Sequence, residues 1–283
     1  VADLVWNAAD CQARGFLLGA TAGRTTLSGE GLQHEDGQSQ VYAATIPTCR
    51  AYDPAFSYEV AVIAEDGVRR MMTDNEHCFY YVTLYNENYT HPSMPAGAEE
   101  GIRRGIYLLR PAPQSDKPRV QLIGSGSILR LVLAAADLLE TRFGVAVDVW
   151  SATSFGELRK DGIACDRWNL LHPAEPPRTP YVTEQLASRS GPVIGVSDFM
   201  RAYPDLIRNW VSQRYTVLGT DGFGRSDTRV ALRDFFEIDE RYIALAALKS
   251  LADDGAIPRT ALVEAMTQFE INADKPTPLG HGE

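Results

Sequence analysis

The sequence holds little that would carry it to a membrane or to nucleic acid. Its longest apolar stretch, residues 128–139, is interrupted by Arg130 and Asp137, too short and too charged to span a bilayer. No dense cluster of Lys or Arg occurs and the formal net charge is -10, so the basic face of a duplex-binding protein is missing. Cysteine is scarce. Cys11, Cys49, Cys78 and Cys165 lie far apart with no C-x-x-C pair, which argues against a disulfide framework or a zinc site and for free thiols in a reducing compartment. The amino-terminal VADLVWNAADCQARGF has no basic segment followed by an apolar core, so it does not read as a secretory signal. These absences predict a cytoplasmic protein without nucleic-acid or membrane partners. There is no internal repeat and no initiator Met. Leu4, Val5, Ala8, Ala9 and Gln12 already follow helical spacing, which predicts a piece of a longer chain.

What is present is an ordinary globular composition, 45% hydrophobic and 23% charged over 283 residues, enough for two domains with real cores. Residues 1–110 form the first expected unit. A helix over residues 2–18 leads into a Gly/Ser/Thr-rich loop, residues 19–40, long enough to suggest a functional role. A short strand follows at 44–47. Asp53 and Pro54 then mark the start of a helix over 56–72, and the aromatic, β-branched run CFYYVTLY (78–85) reads as a buried strand. RPAPQSDKP (110–118), with three prolines, reads as an interdomain linker over 111–118. Residues 119–283 alternate: strands at 120–123, 145–150, 192–196 and 215–218, helices at 128–143, 155–160, 199–210, 228–236, 240–251 and 258–269. Such alternation predicts an α/β fold with a mostly parallel sheet covered by helices.

Two glycine-rich turns invite a phosphate-binding reading. GSGS (124–127) sits between a strand and a helix, but position 129 is Leu where a dinucleotide fingerprint needs its third Gly, and a tight structural turn is favoured. GTDGFGRSDTR (219–229) lacks the Lys-Ser/Thr pair of a P-loop, and Asp221 and Asp227 would repel a phosphate. It reads as a structural loop in which Asp227 or Thr228 caps the next helix. His77, His91, His172 and His281 are isolated, without a partner at metal-ligand spacing. His34 is different. It lies in GEGLQHEDG among Glu30, Glu35 and Asp36, and such an imidazole could donate to a substrate carboxylate or an oxyanion, or shuttle a proton. An ordinary acidic surface loop is the alternative.

GRTTLSGEGLQHEDG (23–37) resembles the active-site loop of homodimeric-type bacterial pyruvate dehydrogenases. AYDPAFSYEVAVI (51–63), NENYTHPSMPAGAEEGIRRGIY (86–107), QLIGSGSILR (121–130), SATSFGELRKDG (151–162), RTPYV (178–182), VLGTDGFGRSDTR (217–229) and INADKPTP (271–278) resemble the same family, in order along the chain. The resemblance implies a transketolase-like protein. Residues 1–110 would be the later part of the thiamine-diphosphate-binding middle domain, and 119–283 an α/β carboxy-terminal domain. It implies oxidative decarboxylation of pyruvate with reductive acetyl transfer to the lipoyl group of dihydrolipoyl acetyltransferase, in a homodimer that uses thiamine diphosphate and Mg²⁺. The residues that activate the cofactor and hold the metal would lie upstream of Val1. By the same resemblance His34 holds the substrate or the acetyl-bearing intermediate, Glu30 tunes it, and Asp36 is a weaker substrate-binding candidate.

Many relatives read HEDGHSH where this chain has Gln38 and Gln40, and transketolases usually carry a substrate-binding His at the position of Gln40. That departure weakens a phosphoketose reading and leaves the pyruvate reading intact. Two other readings stand beside it: a superfamily enzyme for a different 2-oxo acid or a ketose, and a non-catalytic piece serving dimerisation or docking.

Overall fold

A computed structural model describes residues 2–20 and 22–279; His281 lies outside the described residues. The first unit is built on a parallel sheet of order β1-β3-β2, with β1 at Phe16–Ala20, β2 at Cys49–Tyr52 and β3 at Phe79–Leu84. The helix expected over residues 2–18 ends early. α1 spans Ala2–Asp10, and Gln12 and Gly15, both at positive φ, turn the chain into β1. A short continuous apolar run such as FLLGA suits a strand or a helix segment equally, so periodicity alone could not separate them. The strand expected at 44–47 is instead a turn after α2 (Ser39–Ala43), and β2 is the segment that follows. α3 (Ser57–Val68) continues into a π-helical turn, Arg69–Thr73. One face of the sheet packs on α3 and α4 (Glu99–Arg104) through Tyr52, Ile63, Tyr80, Val82 and Ile102; the other packs Cys49, Ala51 and Phe79 on α1 and α2.

The second sheet has the order β4-β6-β5-β7-β8, with β4 at Tyr107–Arg110, β5 at Arg119–Gly124, β6 at Ala146–Ser151, β7 at Val193–Val196 and β8 at Tyr215–Leu218. All neighbours are parallel except β4, which runs antiparallel to β6. This corrects the expected division. Residues 107–110, placed in the first unit, belong to the second sheet, and 111–118, read as an interdomain linker, connect two strands of one sheet. Prolines interrupt a strand in either setting, so composition could not tell them apart. In β5, Val120 and Leu122 face one layer and Ile123 the other, and all are fully buried. The first layer is α5 (Leu129–Arg142), α9 (Glu240–Asp253) and α10 (Thr260–Gln268). The second is α6 (Phe155–Leu171), α7 (Tyr181–Ala187) and a 3-10 segment, Pro204–Trp210. That segment replaces the helix expected over 199–210: Pro204 lacks an N–H, and its ring disfavours helical geometry in the residue before it.

The carboxyl ends of the two sheets meet. The chain leaves β5 towards β6 and returns across β5 to β7, so the direction of winding reverses between β5 and β7. In an open α/β sheet a crevice forms there, beyond the strand ends. In this chain the first unit fills it. Asp53, just after β2, accepts a hydrogen bond from Ser125 at the end of β5 (2.7 Å), and its backbone N–H donates to Thr153 O beyond β6 (2.7 Å). Gly126 sits at this contact with φ 52°, where a Cβ would run into Tyr85 and Asp53. GSGS is therefore a packing turn, as favoured from the sequence. Among the described residues no helix is long and apolar enough to cross a membrane.

Candidate active site

The loop after β1 carries the residues singled out above. Leu27, Glu30, His34, Asp36 and Asn86 line one cavity of about 360 Å³ together with residues 19, 20 and 22. His34 ends a single 3-10 turn, Leu32–His34, and its Nδ1 lies 3.4 Å from Glu30 Oε2. The two side chains are 58% and 50% exposed, so this pair contributes little to folding and remains open to a ligand. Asp36 reaches the same cavity, but its oxygens are engaged. Gln38 N (3.0 Å) and Ser39 N (2.9 Å) donate to Oδ1 and the Ser39 hydroxyl donates to Oδ2, fixing the start of α2. Gln40 does not reach the cavity. It is fully buried, and its Nε2 donates to Tyr52 O (2.9 Å) and Thr83 Oγ1 (3.2 Å). Gln38 accepts from Arg24 at 2.9 Å. Both glutamines at the family's histidine positions thus serve the local scaffold.

The loop is held from the second unit. Asp198, which follows β7, is fully buried and accepts from Thr25 N (3.0 Å), Thr25 Oγ1 (2.6 Å) and Thr26 Oγ1 (2.6 Å). Thr26 Oγ1 also lies 2.6 Å from Ser127 Oγ. Burial pushes the Asp198 carboxyl upward, opposed by the donors from Thr25 and Thr26. Asp53 shares this joint. Burial pushes it up to about 6, against hydrogen bonds from Thr83, Tyr85 and Ser125 that favour the carboxylate. The far flank of the loop is held through Glu35, a buried carboxylate that accepts from Arg225 N at 2.6 Å and that burial also shifts upward. Arg24 is buried and donates to Thr220 O (2.7 Å), Gly222 O and Gln38. Met200 N donates to Gly37 O at 2.8 Å and Gly29 N to Asp227 O at 3.0 Å. An exposed, glycine-rich tip is thereby carried on two clamped ends.

The 219–229 segment supplies part of that clamp, and Thr228 caps α8 (Arg229–Phe235) by accepting from Ala231 N. His172 stacks on Trp168, and His91 accepts from Ser57 N. Both act locally, away from the cavity. Asn86, Asp198 and the Thr25-Thr26 pair were missed as site residues. Asp198 had one available signal, an acidic residue just past a strand in an alternating pattern. Asn86 had none beyond lying in a segment that matches the family. Among the described residues no group of three or more His, Cys, Asp or Glu side chains could hold a metal ion.

Residues 1–92 match the model of the pyruvate dehydrogenase E1 component middle domain, and residues 105–239 that of the transketolase-like C-terminal domain. The chain is 55% identical to the pyruvate dehydrogenase E1 component of Cupriavidus necator over 280 residues, covering 99% of this chain and 31% of that protein. The chain belongs to the pyruvate dehydrogenase E1 family. The Pseudomonas aeruginosa member is 54% identical over 99% of this chain and the Escherichia coli K12 member 52% over 98%, covering 32% and 31% of those proteins. The chain thus spans about a third of the length of these relatives and corresponds to their carboxy-terminal part. Solved structures agree on the fold. A transketolase variant from Pichia stipitis superposes with TM-score 0.65 at 17% identity, covering 90% of this chain and 32% of that one. Transketolase from Campylobacter jejuni gives 0.64 at 19% identity, covering 87% and 33%.

Proposed function

We propose that this chain forms one wall of the active site of a thiamine-diphosphate-dependent enzyme that decarboxylates pyruvate oxidatively. The acetyl unit passes reductively to the lipoyl group of a dihydrolipoyl acetyltransferase, and the enzyme works as a cytoplasmic homodimer. One observation carries the reading: Glu30 and His34 face a common cavity, in contact with each other, on a loop within a chain half identical to pyruvate dehydrogenase E1 components. The donor chemistry of the cavity suits the reacting end of the site. Glu30 and Asp36 would repel a diphosphate, so the diphosphate and Mg²⁺ are assigned to residues outside this chain. When bound, thiamine diphosphate supplies the carbanion chemistry of the reaction.

The work of the chain's own residues follows from their geometry. His34 Nδ1 faces Glu30 Oε2 at 3.4 Å, which leaves Nε2 as the atom that meets substrate. Protonated, Nε2 donates to a substrate oxygen; neutral, it accepts a proton. Leu27 offers an apolar wall for a small substrate.

Steady-state decarboxylation by the full-length enzyme with pyruvate, 2-oxobutyrate and xylulose 5-phosphate tests the substrate class, and a preference for the ketose would overturn it. His34→Ala is expected to lower overall acetyl transfer by about a hundredfold to ten-thousandfold, the usual range for a lost acid–base group. Thiamine diphosphate binding, measured by calorimetry, should stay nearly unchanged. Undiminished turnover would remove His34 from the chemistry.

A further inference from the structure

We infer that Asn86 is a further substrate-binding residue of this cavity, donating its side-chain amide N–H to an oxygen of the 2-oxo acid, and that Arg229 of the second unit orients it. The inference rests on the reading of the cavity as a 2-oxo acid site.

Asn86 stands two residues past the carboxyl end of β3 and lines the cavity with Glu30, His34 and Asp36. Arg229 Nη2 lies 3.3 Å from Asn86 Oδ1. A guanidinium can only donate, so the amide atom facing it must be the carbonyl oxygen. That settles which way the amide points. Its two N–H donors are left over, and no described residue accepts from them.

The guanidinium is itself placed. Arg229 Nε donates to Thr26 O at 2.6 Å, and Thr26 is fixed by Asp198 and Ser127. The neighbouring arginines, Arg130 and Arg233, both pair with Glu87, the residue after Asn86. Arg229 has no carboxylate ion-pair partner among the described residues. Its charge is therefore uncompensated beside a cavity whose acids are Glu30 and Asp36. An anionic 2-oxo acid gains from that charge as well as from the Asn86 donor. A clamp needing only to hold Thr26 would not require a cavity-lining amide as its second partner.

The test uses the full-length enzyme loaded with its cofactor. Asn86→Ala is expected to raise KM for pyruvate about tenfold, the usual effect of losing a donor to a charged oxygen, with kcat within about threefold. Asn86→Asp keeps an acceptor for Arg229 but loses the donor, and should raise KM at least as much. Arg229→Met should raise KM by a similar factor and Arg229→Lys by less. Because part of the Arg229 effect runs through Asn86, Asn86→Ala combined with Arg229→Met should raise KM by less than the product of the two single effects. Thermal midpoints near wild type verify folding. A KM change below twofold in both Asn86 variants, or fully multiplicative effects in the double variant, overturns the inference. If wild type turns over pyruvate and the variants match it, this inference alone falls. If wild type does not turn over pyruvate, the functional reading falls with it.

Discussion

Glu30 and His34 differ from the other polar residues nearby in what holds them. Asp53 and Asp198 are fully buried and saturated with donors, whereas the Glu30–His34 pair is half exposed and touches at 3.4 Å. Exposed pairs of this kind are worth about 0–1 kcal/mol, so stability does not require it. Glu30→Gln should therefore leave the thermal midpoint within about a degree or two while lowering acetyl transfer tenfold or more. A large midpoint loss would mean that Glu30 is structural. His34 stood out in the sequence as an imidazole among carboxylates and glycines. Gln40 shows the opposite. It stands where the resemblance put a transketolase histidine, and α2 turns it inward, where it binds Tyr52 O and Thr83. Side-chain direction follows from the helix, which the glycine-rich composition of the loop concealed.

Among the elements, the loop's clamp depends on backbone freedom at its start. Gly23 adopts φ +88°, and a Cβ there would overlap the Asp198 carboxylate that binds Thr25 and Thr26. Gly23→Ala adds backbone strain to the displacement of a buried carboxylate. It should destabilise the protein by about 1–3 kcal/mol in denaturant unfolding and reduce turnover together with it. Retained stability would show that Asp198 can move at little cost. Most strands and helices were readable, since β3, β5, β6, β7 and β8 coincide with apolar or aromatic runs bounded by turn residues. β1 and β2 were not. FLLGA is ambiguous between helix and strand, and the strand expected at 44–47 falls in a turn with β2 following it. α6 outran its expected end by eleven residues, and Gly162 within it leaves room for the Trp210 ring.

For the whole molecule, the joint between the two sheets sets a pH dependence. Burial pushes Asp53 from its ordinary 3.8 up to about 6, so the folded protein holds a proton that the unfolded chain has already released between those values. Stability supplied by that proton is fully present below the unfolded value and is lost as pH rises through about 6. Asp198 is shifted in the same direction by the same cause. Asp53→Asn should flatten the fall in unfolding free energy between about pH 4 and pH 6; an unaltered slope would place the titration elsewhere. By itself the sequence determined the α/β pattern and the family. Periodicity, turn chemistry and motif order are written within short stretches of chain. Tertiary structure decided which residues share the cavity and what holds its loop. Thr26 meets Asp198 172 positions away, and Asn86 meets Arg229 143 positions away. A buried carboxylate or an exposed amide takes its partner from whichever strand end the fold brings back to it, and no local pattern records that choice.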